Sequence, residues 1–250
     1  MRRFELTDEQ FRRLAPLLPG KEGDTGFTAR DNRLFLDAVL WIARTGAPWR
    51  DLPKRFGNWN TNHKRFYRWA RKGTWKRVFA ELQDPDLEWL LLDSTVVRAH
   101  QHAAGAEGSS AQAEALGRSR GGFSTKIHVV VDALGNPVRI LLSPGQAADI
   151  TYASTLIDGL NADIVIGDRG YDGDALLKKI KEAGAAAAIP PKANRINQRE
   201  YDKHVYKVRN LVERFINQLK QLRRVATRYE KTAASFLGMV HMAAAMILMK

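Results

Sequence analysis

The chain has 250 residues, with 40 Lys plus Arg against 27 Asp plus Glu, a formal net charge of +13 and no cysteine. The absence of cysteine excludes disulfide scaffolds, thiolate zinc sites, iron–sulfur clusters and a cysteine nucleophile. Such a basic chain favours a polyanionic partner, since Lys and Arg gain free energy by releasing counterions from phosphates, although a Lys-rich solvated surface has the same composition. The longest apolar stretch, Phe236–Met249, is shorter than the roughly 20 residues of a membrane helix, so we expect a soluble intracellular protein.

Residues 1–83 are predicted to form an all-helical domain. Thr7 and Gln10 form a candidate capping box, and apolar residues recur at helical spacing over 32–45 and 61–80. Nine Lys or Arg between residues 51 and 80 are interleaved with aromatic residues, and three short helices of which the last is basic are typical of helix-turn-helix DNA readers. Alternatively, the aromatics are core and the charges an ordinary solvated face. The DNA contacts predicted here are Lys64, Arg65, Arg68, Arg71 and Lys72.

Residues 84–250 are predicted to form an α/β domain. Strands are predicted at 89–97, 124–131, 138–142, 163–166 and 185–189, and helices at 151–160, 174–183, 204–224 and 232–249. The small and polar segment 103–122 is predicted to be a flexible loop. A three-stranded meander followed by alternating helices and strands predicts a mixed sheet flanked by helices.

Two carboxylates lie where the surrounding sequence is apolar. Asp93 stands inside the run 89–97, where an unpaired carboxylate would cost several kcal/mol unless a cation or strong hydrogen bonds compensate. Asp168 follows the apolar residues 164–166, at the carboxyl end of a predicted strand, where the sites of α/β proteins gather. For each residue, a helix cap or a pair with a structural Arg is the alternative.

The predicted helix 204–224 carries a third carboxylate on a polar line. At 100° per residue, four side chains fall within an arc of about 60°: Tyr206, Arg209, Glu213 and Lys220. A structural salt bridge would explain the pair Arg209 and Glu213 at i, i+4. It would not explain why Tyr206 and Lys220 share their line.

Three carboxylates on two strands and a helix are the hard oxygen ligands of a two-metal phosphoryl-transfer site. Asp93, Asp168 and Glu213 are therefore the candidate catalytic and metal-ligating residues, with two Mg²⁺ ions, for which Mn²⁺ can substitute. The flanking residues predicted to contact DNA phosphates are Tyr206, Arg209, Lys220, Arg98 and Arg169. The sequence contains no P-loop, nucleophile elbow or dinucleotide-binding pattern. His100 and His102 form an H-x-H pair that could bind a metal, but no matched third His accompanies it.

Several segments resemble the transposases of the IS5 family of bacterial insertion sequences. They are DSTVVRAHQHAAG (93–105), GRSRGG (117–122), STKIH (124–128), GDRGYD (167–172), RNLVER (209–214) and, in the N-terminal region, RTGAPWRDLP (44–53). The polar line on the predicted helix matches the Y-x2-R-x3-E-x6-K signature of IS4- and IS5-like transposases, residue by residue.

The resemblance implies a DDE transposase with an RNase H-like catalytic domain, in which Asp93, Asp168 and Glu213 are the DDE triad. Such enzymes use Mg²⁺ to nick DNA at the element end, and the freed 3′-OH then attacks a target phosphodiester. Arg209 and Lys220 would hold the terminal phosphates, with Tyr206 supporting them. The implied partners are double-stranded DNA, as terminal inverted repeats and target, and a second copy of the chain or more on that DNA. The implied location is the bacterial cytoplasm, at the nucleoid.

Two rival functions stay open at this point. One is an RNase H-like metal nuclease that cuts DNA without strand transfer. The other is a non-catalytic DNA-binding repressor that uses residues 1–83, with the rest of the chain as a scaffold. The repressor hypothesis leaves the carboxylates in apolar surroundings without an explanation.

Overall fold

The computed structural model describes residues 5–21, 23–24, 29, 31–196 and 198–250. The chain divides into two compact units, one of Met1–Leu82, His100–Ala106 and Leu219–Lys250 and the other of Gln83–Ala99 and Glu107–Gln218. This grouping places residues 219–250 with the N-terminal helices, whereas the sequence assigned them to the second domain. The predicted boundary at residue 83 stays a prediction. Within the described ranges, no helix has the length and apolar character needed to cross a membrane.

The α-helices of the described residues are α1 (Asp8–Leu14), α2 (Asn32–Thr45), α3 (Trp59–Arg71), α4 (Thr74–Glu81), α5 (Asp149–Leu156), α6 (Asp174–Glu182), α7 (Lys203–Tyr206), α8 (Asn210–Lys220), α9 (Arg223–Ala226) and α10 (Ala233–Leu248). The strands are β1 (Trp89–Ala99), β2 (Gly117–Ser119), β3 (Gly122–Val131), β4 (Pro137–Pro144), β5 (Ile164–Ile166), β6 (Ala186–Ala188) and β7 (Thr227–Arg228).

The first unit contains the predicted N-terminal helices, with one additional break. Both hydrogen bonds of the predicted capping box are present, because the hydroxyl of Thr7 accepts from the backbone N–H of Gln10 and the Gln10 side chain accepts from that of Thr7. The predicted helix over 61–80 is instead the pair α3 and α4. Gly73 separates them with φ +68°, a left-handed conformation that costs glycine little and that commonly follows a helix end.

The core of the first unit includes α10, the most apolar of the described helices. Phe236, Met239 and Val240 on this helix are fully buried, and α10 packs against α3 and α4. Gly238 is the point of closest approach, since a Cβ added there would lie 2.9 Å from the Cβ of Ala70. A helix without a large polar face is stable when it is buried on all sides, and α10 is buried in this way.

The second unit is built on a mixed sheet. β3 pairs antiparallel with β1 and β4, while β5 runs parallel to β1 and β6 parallel to β5. When the five strands other than the short β2 and β7 are numbered in chain order, their spatial order is 3-2-1-4-5. The predicted α/β class with an RNase H-like mixed sheet flanked by helices is therefore confirmed. Residues of α5 and α6 pack on one face of this sheet, against Leu90, Leu92 and Val165.

Two predicted segments differ in detail from the structure. The predicted loop 103–122 contains β2, which pairs with the start of β3, and Leu116 beside it is buried. The predicted helix 204–224 is divided into α7, a 3-10 turn at Lys207–Arg209, α8 and α9. The chain leaves the helical path at Leu222, whose backbone is extended, so the periodic apolar pattern runs past the actual end of α8.

Candidate active site

The candidate site lies where β1 and β5 separate in the second unit. The parallel pairing of these strands ends with Leu91 opposite Ile166, and Asp93 and Asp168 each follow by two residues. Asp168 caps the 3-10 turn Arg169–Tyr171, where its Oδ1 accepts from the backbone N–H of Gly170 at 2.8 Å. The parallel register thus brings both predicted carboxylates to the same edge of the sheet.

Arg209 joins the first of these carboxylates to the third one, on α8. Its Nη2 donates to Oδ2 of Asp93 at 3.0 Å, and its Nη1 donates to Oε1 of Glu213 at 2.9 Å. The sequence predicted the i, i+4 contact with Glu213, but the bond to Asp93 spans 116 positions and depends on the fold. One guanidinium therefore holds two of the three predicted carboxylates.

Burial and three charged neighbours act on the carboxyl of Asp93. Burial raises the pKa of this carboxyl above its usual range, Arg209 and the backbone N–H of Ser94 act in the opposite direction, and the negative charges of Asp168 and Glu213 raise it further. The three carboxylates are therefore close enough to repel one another. Their like charges need a cation, and Arg209 supplies positive charge between two of them.

The donor set matches the chemistry of a hard divalent cation, because all three groups offer carboxylate oxygens. Arg209 binds two of them, Asp93 and Glu213. Among the described residues, no three His, Cys, Asp or Glu side chains form a group that could hold a metal ion, so only the donor types fit.

The other predicted contacts near the carboxylates are placed differently from one another. Tyr206 ends α7 and packs edge-on against the ring of Tyr201, with the centroids 5.6 Å apart. Arg169 is exposed in the turn that follows Asp168, and Arg98 is exposed near the end of β1. Lys220 is the last residue of α8 and belongs to the first unit, where burial lowers its pKa.

The sequence analysis missed a fourth carboxylate in this region, Asp149 at the start of α5. Its Oδ1 accepts from the hydroxyl of Ser94 at 2.7 Å and from Nζ of Lys126 at 2.9 Å. A Cβ added to Gly170 would lie 3.9 Å from its Oδ2. No sequence motif indicates a role for Asp149, because its partners Ser94 and Lys126 lie on β1 and β3. The available signal was the resemblance segment 124–128, which contains Lys126.

Tyr171 is a second residue that the sequence analysis did not single out. Its side chain is 1% exposed, and its hydroxyl is among the buried polar atoms that have no hydrogen-bond partner within the described structure. Burial raises the pKa of this hydroxyl, and the charges of Asp149, Asp93 and Asp168 raise it further, in that order. The buried phenol therefore stands within electrostatic range of three carboxylates.

Asp172, four residues after Asp168, is buried and bound by several hydrogen-bond donors. Its side chain is fully buried and accepts from Nε of Arg195 at 2.6 Å, from the guanidinium of Arg199 and from the backbone N–H of Lys192. Burial acts to raise the pKa of this carboxyl, but these donors outweigh it and hold the pKa below its usual value. Asp172 thus ties Lys192, Arg195 and Arg199 to the turn that follows Asp168.

The basic residues predicted in the first unit fall into two groups. Arg65 is half-buried, with its guanidinium over the rings of Phe35 and Trp69 at 4.2 and 4.7 Å and hydrogen-bonded to Asn32, and burial lowers its pKa to about 10. These contacts give Arg65 a packing role.

The exposed members of the set are Lys64, Arg68, Arg71 and Lys72. Phe35, Phe66, Trp69 and Trp75 form a buried aromatic core, so the aromatics of this region are structural while most of the charges face solvent.

Among the described residues, His100 and His102 are not part of a group of three potential metal ligands. The rings of His100 and His102 lie 4.5 Å apart, but Nδ1 of His100 accepts from the backbone N–H of His102. The His100 ring also stacks on Tyr229 at 4.9 Å. The pair is thus engaged in local packing, consistent with its lack of a third His.

Comparison with known families assigns both parts of the sequence. Residues 6–79 match the family model described as "Putative transposase of IS4/5 family", and residues 84–248 match the one described as "Transposase DDE domain".

Individual proteins are similar over shorter stretches. "Putative transposase for insertion sequence element IS6501" of Brucella ovis is 43% identical over 127 residues, which are 50% of this chain and 98% of that protein. "Uncharacterized protein y4sN" of Sinorhizobium fredii is 49% identical over 102 residues, 40% of this chain and 82% of that protein. Among solved structures, a piggyBac transposase synaptic complex with hairpin DNA covers 98% of this chain and 73% of its own, at 13% identity and a TM-score of 0.49.

Proposed function

Because the chain belongs to the DDE transposases of the IS4/5 type, we propose that it cleaves DNA at the ends of its insertion sequence and transfers the freed 3′-OH into target DNA, with Asp93, Asp168 and Glu213 as the catalytic carboxylates. The observation that carries this assignment is the junction of β1 and β5. Arg209 binds the carboxylates of Asp93 on β1 and Glu213 on α8 there, and Asp168 follows the end of β5 at the same edge of the sheet.

DDE transposase domains generally use a divalent metal, and we assign that ion, as a pair of Mg²⁺ ions, to the three carboxylates. Asp93, Asp168 and Glu213 would hold these ions, whose chemistry would be to polarise the phosphodiester and to lower the pKa of an attacking water or 3′-OH. The residues present support this assignment, since all three side chains offer hard oxygen donors. In each of them, at least one carboxylate oxygen accepts no hydrogen bond from the backbone.

Arg209 is proposed to exchange partners when DNA binds. Its two nitrogens that now hold Asp93 and Glu213 have the planar fork that also recognises a phosphate in a bidentate way. Release of the carboxylates from Arg209 would free their oxygens for metal and turn the guanidinium toward the scissile phosphate. Tyr206, next to this turn of the helix, is proposed to support the same phosphate, with Lys220, Arg98 and Arg169 as further contacts along the backbone.

The exposed cations of α3 and the residue after it are proposed as the contacts of the N-terminal region with duplex DNA. Lys64, Arg68, Arg71 and Lys72 are all exposed, and a single helix carrying them follows the geometry of a reader helix. Arg65 is left out of this set, because its guanidinium packs on aromatic rings. Since cleavage and joining act on two element ends, we also propose that at least two copies of the chain assemble on DNA.

The direct test uses duplex DNA that carries the ends of the element encoding this chain. The full chain is incubated with Mg²⁺, with Mn²⁺ or with EDTA, and the products are resolved on denaturing gels. We expect nicking at the element end that leaves a 3′-OH, followed by joined products in a target plasmid. EDTA is expected to abolish both. Cleavage without any joined product would favour the metal nuclease, and binding without metal-dependent chemistry would favour the repressor.

The proposed DNA face of the first unit has its own test. The triple variant Arg68→Gln, Arg71→Gln and Lys72→Gln should reduce the salt dependence of DNA binding by about three counterions, because each phosphate contact contributes roughly one to the slope. Fluorescence anisotropy across a range of salt concentrations measures this slope. The matched control neutralises Lys178 and Lys181, exposed on α6, and should leave the slope unchanged. Equal slopes for wild type and the triple variant would remove α3 from the DNA interface.

A further inference from the structure

Asp149 has no assigned role in the chemistry described so far, yet it contacts the strand that carries Asp93. Successive side chains of a strand point to opposite faces, and Leu90 and Leu92 belong to the core beneath α5 and α6. Ser94 continues this series, so its side chain lies on the α5 face while Asp93 lies on the other. Asp149, at the start of α5, accepts a hydrogen bond from the hydroxyl of Ser94 at 2.7 Å. This contact lies on the face of β1 opposite to the Asp93 side chain.

The same carboxylate also reaches the neighbouring strand. Nζ of Lys126 donates to Oδ1 of Asp149 at 2.9 Å, and Lys126 stands opposite Val96 in the antiparallel register of β1 and β3. Only 12% of the Lys126 side chain and 27% of the Asp149 side chain are exposed, so this pair is shielded from solvent more than a surface salt bridge. Lys126 also donates to the backbone carbonyl of Ala147, which fixes the loop before α5.

These contacts lie just beyond the point where β5 stops pairing with β1. β5 stops pairing with β1 at Leu91, so the segment of β1 that carries Asp93 has β3 as its partner on one side and no strand pairing with β5 on the other. Asp149 binds the hydroxyl of the next residue there, and its Oδ2 lies near Gly170 in the turn after Asp168. The backbone N–H of Ser94 in turn donates to Oδ1 of Asp93 at 2.8 Å.

We propose that Asp149 is a positioning residue, which holds Ser94 and Lys126 so that β1 presents the Asp93 carboxylate in one fixed orientation. This inference rests on the proposed function for the reaction that it serves. Asp149 itself touches neither DNA nor metal and acts through Ser94. Groups of this kind, one step removed from a metal ligand, commonly alter metal affinity or activity about 10- to 100-fold when they are replaced.

The test compares Asp149→Asn with Asp158→Asn in the full chain. Both variants remove one negative charge, but the Asp158 carboxylate is 71% exposed and pairs with Lys179. We expect Asp149→Asn to slow cleavage about 10- to 100-fold and to weaken Mn²⁺ binding, measured by electron paramagnetic resonance without DNA, by a similar factor. Asp158→Asn should match wild type in both measurements. A wild-type rate and a wild-type Mn²⁺ affinity for Asp149→Asn would overturn the proposal.

A double-mutant cycle with Ser94→Ala separates positioning from general damage. If Asp149 acts through Ser94, each single variant is slowed and the double variant is no slower than the worse single one. Multiplied losses in the double variant would show that the two residues act independently, and would overturn the proposal. If Asp149→Asn does not fold, Ser94→Ala tests the proposal alone, because it removes only one hydroxyl. A wild-type Mn²⁺ affinity in Ser94→Ala would then overturn the proposal. An inactive wild-type chain would instead refute the proposed function, while the Mn²⁺ measurement would still decide the role of Asp149.

Discussion

The variant Glu213→Gln is expected to cleave element-end DNA about a thousandfold more slowly than wild type. Loss of a charged group that stabilises a phosphoryl-transfer transition state costs several kcal/mol, and each 1.36 kcal/mol is about a factor of ten in rate. Gln has the size of Glu and keeps an oxygen that can accept from Nη1 of Arg209, so the contact that orients Arg209 is retained. The change therefore removes the charge with little loss of local structure.

Three measurements make this prediction specific. Single-turnover cleavage gives the rate, fluorescence anisotropy gives DNA affinity, and thermal unfolding gives stability. We expect only the first to change, because the Glu213 side chain is 52% exposed and supports no core. Glu182→Gln on α6, at a side chain that is 65% exposed, is the matched control and should cleave at the wild-type rate. A Glu213→Gln variant with wild-type cleavage would exclude Glu213 from the catalytic carboxylates.

The variant Glu230→Ala is expected to lose about 3–5 kcal/mol of the free energy of unfolding, because it leaves the charge of Arg224 buried without its partner. The Glu230 side chain is fully buried and Arg224 is 7% exposed, with Nε of Arg224 donating to Oε1 of Glu230 at 2.7 Å. Arg224 also lies over the ring of Tyr229 at 4.8 Å. Its guanidinium donates to the backbone carbonyl of Ala47, just after α2.

Urea unfolding followed by tryptophan fluorescence measures this loss in the unit where it occurs. Five of the six tryptophans lie within residues 1–82, so the signal reports mainly on the first unit. The exposed carboxylate Glu81 serves as the control, and Glu81→Ala should change stability by less than about 0.5 kcal/mol. The paired change Arg224→Met with Glu230→Leu should recover much of the loss, since it leaves no unpaired charge. Wild-type stability for Glu230→Ala would show that the pair does not stabilise the unit.

Much of the candidate site could be predicted because its signals are local. Asp93 stands out because a carboxylate inside an apolar strand needs a partner, and Glu213 stands out because helical periodicity places it on a line with Arg209. The mixed sheet follows from the order of the elements, since a meander followed by alternating helices and strands leaves few ways to pair the strands. The break of α3 from α4 at Gly73 was also within reach of the sequence, because glycine commonly ends a helix.

Asp149 was missed because its hydrogen-bond partners are distant along the chain. Asp149 accepts hydrogen bonds from Ser94, which is 55 positions away in the sequence, and from Lys126, which is 23 positions away. Nothing near Asp149 in the sequence indicates such contacts, because an aspartate at the start of a helix is an ordinary feature. The end of α8 before Leu222 was also missed, because the helical spacing of apolar residues continues in the sequence beyond the point where the backbone leaves the helix.

The sequence by itself determined the residue types, their local spacing and hence the secondary structure and the chemical class of the site. Those properties depend on interactions within a few residues, such as helical periodicity, turn chemistry and the cost of a charge in an apolar run. Only the tertiary structure decided that Arg209 bonds to Asp93, that Asp149 accepts a hydrogen bond from Ser94 and that α10 packs with α3 and α4. These contacts form between elements far apart in the chain, and their geometry is set by strand register and core packing, which no local pattern encodes.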